Sequence, residues 1–274
     1  DRSRHGRPGL SAANGLQHRT PVRAGAEAVR SCDEGPDALF VQRRILGQHH
    51  QDVHAGAIAA QSLPRHLDQV DLGRVRRLTR EHRLEIPVVS TGQVFAGHKL
   101  WFTSPDAAIR RRAVEIFKGL VDVAADFGAM VNMGRVRGFV AEGETAETAE
   151  QRFGDVVREI AAYARPRGVQ LILEPVNRYE INFINSLEEG AALLERLAIP
   201  GLALMPDVFH MNIEDVSIEG SLQKYVRHIA YVHFADSNRL APGWGHLDFG
   251  SIVRALEEVG YRGWTSVEVL PKPD

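Results

Sequence analysis

Glu174, Asp207, His233 and Glu268 are the residues whose types and spacing most directly suggest chemistry. Each closes a short apolar run: Leu171-Ile172-Leu173 ends in Glu174, Leu202 to Pro206 in Asp207, Ile229 to Val232 in His233, and Thr265-Ser266-Val267 in Glu268. The separations are 33, 26 and 35 residues, each close to the ~30-residue length of a strand, a helix and their loops. Successive strands of one parallel barrel would bring all four side chains to the same mouth, the C-terminal face where such barrels keep their active sites. Three carboxylates and one imidazole form a hard, oxygen-dominated shell for one divalent cation, Mn²⁺ first, with Mg²⁺ and Co²⁺ as alternatives and zinc less favoured. A single acid at a strand end is ordinarily a helix cap or a solvated loop group. Four in register ask for another explanation.

Those residues need a scaffold, and the hydrophobic periods supply one. Leu72, Val75 and Leu78 recur at helical spacing, and Leu84 to Val89 then reads as a short buried strand. Ser104-Pro105-Asp106 opens an amphipathic run from Ala107 to Phe127, followed by the strand Ala129 to Met133. The alternation continues through a helix from Thr145 to about Arg165 and the strand Val169 to Leu173. Helix Ser186 to Leu197 precedes strand Gly201 to Met205, helix Ile218 to Arg227 precedes strand Ile229 to Val232, and helix Phe249 to Val259 precedes strand Trp264 to Val267. Continuous apolar strands separated by helices predict a parallel sheet covered on its outer face. Six of them at regular spacing, without a glycine-rich phosphate turn near the first, predict an α/β (β/α)₈ TIM barrel rather than an open doubly wound sheet.

Composition narrows the partners. A formal charge of -2 over 274 residues gives nothing that draws the chain to nucleic acid or to an anionic membrane. No apolar run is long enough to span a bilayer, and the Arg/His-rich start lacks the apolar stretch of a signal peptide. Cys32 is the only cysteine, which rules out an intrachain disulfide and a thiolate zinc cluster and favours a cytoplasmic location. A small molecule is the expected partner, and a homo-oligomer is compatible with the sequence.

From about Asp71 onward the chain also resembles a known family. Glu174-Pro-Val-Asn-Arg-Tyr-Glu180, Asp207-Val-Phe-His210-Met-Asn, His233-Phe-Ala-Asp-Ser-Asn-Arg239 and Ser266-Val-Glu268 are similar to motifs of D-tagatose 3-epimerase and its relatives, within the xylose isomerase-like TIM barrels. Ser90-Thr-Gly-Gln93, Arg135-Val-Arg-Gly138 and the stretch Ala235 to Phe249 look closest to the 5-keto-L-gluconate epimerases. The resemblance implies that Glu174, Asp207, His233 and Glu268 hold the metal, that Glu174 and Glu268 double as the catalytic acid/base pair, and that Glu180, His210 and Arg239 bind substrate. It implies a keto sugar or, more specifically, a keto sugar acid. The expected reaction inverts a carbon next to the carbonyl by deprotonation and reprotonation through a metal-stabilised enediolate, one carboxylate removing the proton and the other returning it. His210 lies one helical turn after Asp207, as a donor beside the metal, a substrate contact or a buried histidine. Trp244 and His246 read as loop structure. The competing expectations are a metal phosphodiesterase of the apurinic endonuclease type, which would need further His/Asp ligands and a cationic face, and a non-catalytic damaged or sugar-binding product.

Residues 1–66 do not share this pattern, so we separate them from a barrel domain over 67–274. They hold six of the twelve histidines and no lysine; Ala38 to Val41 reads as a strand and Gly56 to Ala60 as a weaker one. A divergent or disordered segment has such composition, and so does one translated from another reading frame, which is the sharper expectation. Pro271 to Asp274 stops where the resembling family has a closing helix, which reads as a ring lacking its last helix and its first strands, a fragment.

Overall fold

In the computed structural model, Gln42–Arg43, Ala55–Ala57 and residues 71–270 are described. The predicted strand Ala38 to Val41 lies outside the described residues, as does the unit Asp1–Gly35; all described residues belong to the second unit, Pro36–Asp274.

The elements follow one another as the apolar periods require. β1 (Gln42–Arg43) pairs antiparallel with β3 (Leu84–Glu85), and β2 (Ala55–Ala57) pairs parallel with β9 (Trp264–Val267). β4 (Val88–Val89), β5 (Met130–Met133), β6 (Leu171–Leu173) and β7 (Leu202–Leu204) form one parallel sheet, and β8 (Tyr231–Phe234) pairs parallel with β9. Parallel bridges from Leu204 to Ile229 and from Asp207 to His233 join β7 to β8. The order β2-β9-β8-β7-β6-β5-β4 is thus a run of seven parallel strands among the described residues, in a TIM-barrel fold. β2 comes from the weaker strand candidate, so the barrel reaches into the stretch that composition set apart. The run predicted from Leu84 to Val89 divides into β3 and β4 at Ile86-Pro87, where proline removes a ladder donor.

Eight helices alternate with these strands: α1 (Leu72–Glu81), α2 (Gly92–His98), α3 (Ala107–Phe127), α4 (Ala146–Ala164), α5 (Leu187–Leu197), α6 (Val208–Glu214), α7 (Ile218–Tyr225) and α8 (Phe249–Glu258) among the described residues, the short α2 and α6 following the C-terminal ends of β4 and β7. Side-chain caps at Asp71, Asp106, Thr145, Ser186, Ser217 and Asp248 accept from first-turn amides, satisfying donors that helix geometry leaves unpaired. None of these helices is long and apolar enough to cross a membrane among the described residues. Two short helices, α2 and α6, were not foreseen; seven residues each is too little for a periodic signal.

Strand parity divides the core. Val88, Ile172, Ala203, Met205 and Tyr231 fill the barrel interior, while Leu171, Leu173, Leu204, Val232 and Phe234 pack outward with Phe117, Leu120, Val121 and Phe153 from the helices. Because side chains alternate along a strand, Glu174 follows Ile172 inward, Asp207 follows Met205, and His233 follows Tyr231. On β9 the same rule sends Glu268 inward behind Ser266. Phe117 is fully buried, its ring edge-on to Phe102 at 5.2 Å. Phe117→Ala is expected to lower unfolding stability by about 3–5 kcal/mol, read from urea denaturation; a loss below about 1 kcal/mol would show that this helix–sheet layer is not the stabilising core.

Candidate metal centre

One donor atom from each of Glu174, Asp207, His233 and Glu268 lies within 4.8 Å of the other three. Donors on opposite sides of one small divalent ion stand about 4.2 Å apart, close to this spacing. Glu174, Asp207 and His233 are buried and Glu268 is partly open at the mouth. His233 Nδ1 sits 3.4 Å from Glu268 Oε2 and 3.6 Å from Glu174 Oε1, and its ring stands edge-on to Tyr231 below it, centroids 5.5 Å apart. Asp207 is a helix cap as well as a member of the cluster: Oδ1 accepts from Phe209 N at 2.9 Å. Its Oδ2, like His233 Nδ1, is buried without a hydrogen-bond partner. A buried polar atom left unpaired is costly, and two of them aimed into one cluster of acids fit a cation bound between them. Among the described residues there is no second such cluster.

The electrostatics show the same strain. Burial, and then the neighbouring Glu268, push the Asp207 carboxyl well above its usual range, and the same two causes raise Glu174. Burial alone would lower His233, but Glu268 and Glu174 beside it hold the imidazole well above its usual value. Glu268 goes the other way, to about 2: His233 and Arg239 outweigh the burial that opposes them.

The expected substrate contacts line the same mouth. Arg239 Nη1 donates to Glu180 Oε1 at 2.8 Å, and Nη2 stands 3.7 Å from Glu268 Oε2. Its guanidinium lies 5.0 Å from the centre of the Phe209 ring. His210 is buried on α6, with Nδ1 2.7 Å from Asn177 Nδ2; in this amide orientation Nδ1 accepts and Nε2 carries the proton. Burial, helped by Arg239, lowers His210 to about 3, so the imidazole is neutral. Trp244 is largely exposed and His246 bonds Ser237 Oγ at 2.9 Å, both in loop positions.

Three supporting residues escaped the sequence reading. Asn132 offers Nδ2 to Glu174 Oε2 at 3.4 Å, and parity would have found it, since it follows Met130 inward on β5. Asn177 orients His210. Asp236 organises the loop that presents Arg239: its carboxylate accepts from the amides of Ser237 at 2.7 Å, Gly243 at 2.8 Å and Leu247 at 3.2 Å. A Cβ on Gly245 would stand 2.1 Å from Asp236 Oδ1, so this close approach requires glycine. No pattern of spacing announces such a loop.

Residues 53–274 match the family described as the xylose isomerase-like TIM barrel. The chain belongs to that family. The match starts within the 1–66 stretch, in agreement with the placement of β2. An L-ribulose 3-epimerase of Methylomonas sp. (strain DH-1) is 32% identical over 197 residues, which are 71% of this chain and 68% of the relative. An L-ribulose 3-epimerase of Mesorhizobium japonicum is 34% identical over 172 residues, 61% of this chain and 57% of the relative, so this chain spans less than two thirds of that protein. A solved L-ribulose 3-epimerase structure superposes with a TM-score of 0.68 at 28% identity, covering 80% of this chain and 71% of that one. Within its family the chain therefore stands with the ketose 3-epimerases, an isomerase group.

The amide nest around Asp236 carries a pH signature. Burial opposes ionisation there, but the amides of Gly245, Leu247, Ser237 and Gly243 hold the carboxyl at about 2. A group depressed below its unfolded value of about 3.9 stabilises the fold above that value, and the contribution is lost as pH falls through the folded value. The stability difference between the wild type and Asp236→Asn should therefore shrink between about pH 4 and about pH 2 in denaturation titrations. A difference independent of pH would contradict the nest.

Proposed function

We propose that the protein is a divalent-metal-dependent sugar epimerase that inverts a carbon next to the carbonyl of a keto sugar, its preferred substrate a keto sugar acid of the 5-keto-L-gluconate type. The observation that carries this reading is the convergence of four donors at the ends of β6 to β9, two of their atoms buried without partners. The kinship with L-ribulose 3-epimerases supports a ketose as the substrate class. Mn²⁺ is the cation we favour, because the donor set is mostly carboxylate with a single imidazole.

Glu174, Asp207, His233 and Glu268 would hold the cation, which when bound would supply Lewis-acid stabilisation of the negative charge that develops on the substrate carbonyl. Glu174 and Glu268 move the protons. One carboxylate takes the proton from the carbon beside the carbonyl, and the electron pair left behind delocalises into that carbonyl. The other, as the acid, returns a proton to the opposite face, so the centre is inverted and no net proton is consumed. Neutral His210, protonated at Nε2, donates to a substrate oxygen, while Glu180 and Arg239 orient the hydroxyls. The acid end of the substrate is read by the guanidinium fork of Arg239, a geometry matched to carboxylates, with Arg135 3.9 Å from Glu180 on its other side.

In deuterium oxide with Mn²⁺, a ketose or keto sugar acid should gain one solvent deuteron at a single carbon as it epimerises. Glu174→Gln and Glu268→Gln should each lower turnover by at least about a hundredfold, the scale of losing a positioned acid or base. Substantial turnover in either variant would sink the two-base scheme, and a higher kcat/KM for neutral ketoses than for keto acids would sink the acid preference.

A further inference from the structure

Arg137 has no solvent exposure, yet the mechanism gives it no contact with substrate or cation. Its guanidinium donates to four main-chain carbonyls: Nε to Phe183 at 2.7 Å, Nη1 to Glu174 at 2.7 Å and to Gly134 at 3.2 Å, and Nη2 to Ile184 at 2.7 Å. None of these acceptors is a carboxylate. A buried charge is expensive unless its surroundings replace water, so what these carbonyls belong to is informative.

They belong to three separate parts of the mouth. Gly134 precedes the 3₁₀ turn Arg135–Arg137 after β5, Glu174 directly follows β6, and Phe183 and Ile184 lie on the loop that carries Glu180. In a parallel ladder a residue turns its N–H and C=O toward the same neighbour. Glu174 N donates to Met133 O at 3.2 Å, so its carbonyl would next meet the amide of residue 135, but there the chain has left the strand for the 3₁₀ turn. The Arg137 guanidinium takes the place of that missing donor. At its other end it holds Ile184, a β-branched residue at φ +61°, a conformation that persists only where the surroundings enforce it. The Glu174 carboxylate has little room besides: a Cβ on Gly134 would stand 3.0 Å from Oε2, on which Asn132 also closes.

We propose that Arg137 is a positioning residue, whose guanidinium locks the main chain of Glu174 to the Glu180 loop and so sets the Glu174 carboxylate at the cation site. The proposal rests on the reading of Glu174 as a metal ligand. Lysine keeps the charge but gathers its donors on one atom, so Arg137→Lys cannot bridge carbonyls on separate segments; Arg137→Gln also removes the charge.

The test uses the whole chain and two readouts, Mn²⁺ binding by titration calorimetry and epimerisation kinetics, with circular dichroism and thermal melts to establish that each variant folds. Both variants are expected to melt cooperatively. Arg137→Lys should weaken Mn²⁺ binding by about 10-fold and Arg137→Gln by up to about 100-fold, the range for groups that orient metal ligands. In Arg137→Lys kcat should fall by about 10-fold or more with KM changed by less than about 3-fold, a split that general loosening of the fold would not produce. A wild type that binds no Mn²⁺ removes the metal-site reading and this proposal with it. A wild type that binds Mn²⁺ while Arg137→Lys binds and turns over like it overturns the proposal alone. Failure of both variants to fold makes Arg137 structural and overturns it as well.

Discussion

The mutual repulsion of three carboxylates gathered at one barrel mouth is the constraint on which the rest of this structure depends. Asp207 and Glu174 are buried, Glu268 stands beside them, and only one imidazole lies among the three. In a low-dielectric setting such a cluster is unfavourable unless positive charge is bound within it. The chain supplies some of that charge through Arg239 at the rim and Arg137 beneath Glu174. The unpartnered Oδ2 of Asp207 and Nδ1 of His233 show that protein groups do not finish the task, which is what suits the centre to a divalent cation.

The fold pays this cost because strand parity leaves no alternative. Ile172, Met205 and Tyr231 fill the barrel interior just below the mouth, and the next inward residues on their strands are Glu174, Asp207 and His233. The same alternation that packs the core therefore delivers the ligands, so core packing and site geometry are one property of the sheet. Loops finish the arrangement. The Asp236 nest presents Arg239, and the segment after β6 brings Glu180 to Arg239 and Asn177 to His210.

What could be read without coordinates divides along the same line. The boundaries of α3 and β9 follow from the apolar period together with Asp106 and Gly128 as cap residues, and the four ligands follow from their place at the ends of apolar runs. These are local signals repeated at barrel spacing. Asn132 was within reach of the same logic, because a polar residue inside an apolar strand with the parity of Met130 must face the interior. Arg137, Asn177 and Asp236 were not: Arg137 acts on main-chain carbonyls of a segment distant in sequence, Asn177 on a histidine 33 residues away, and Asp236 on amides of its own irregular loop, none of which leaves a mark on residue type. Val208 to Glu214 was missed as a helix because about two turns give no period to detect, although Asp207 as its cap could have hinted at it. β2 was legible only as a weak apolar run; its parallel pairing with Trp264–Val267 is a long-range contact that no local pattern encodes.

Anomalous diffraction from crystals grown with Mn²⁺ tests the central claim most directly. The account predicts a single strong manganese peak bounded by the carboxylates of Glu174, Asp207 and Glu268 and by His233 Nδ1. A mouth without a peak, or manganese bound only elsewhere on the chain, would contradict it.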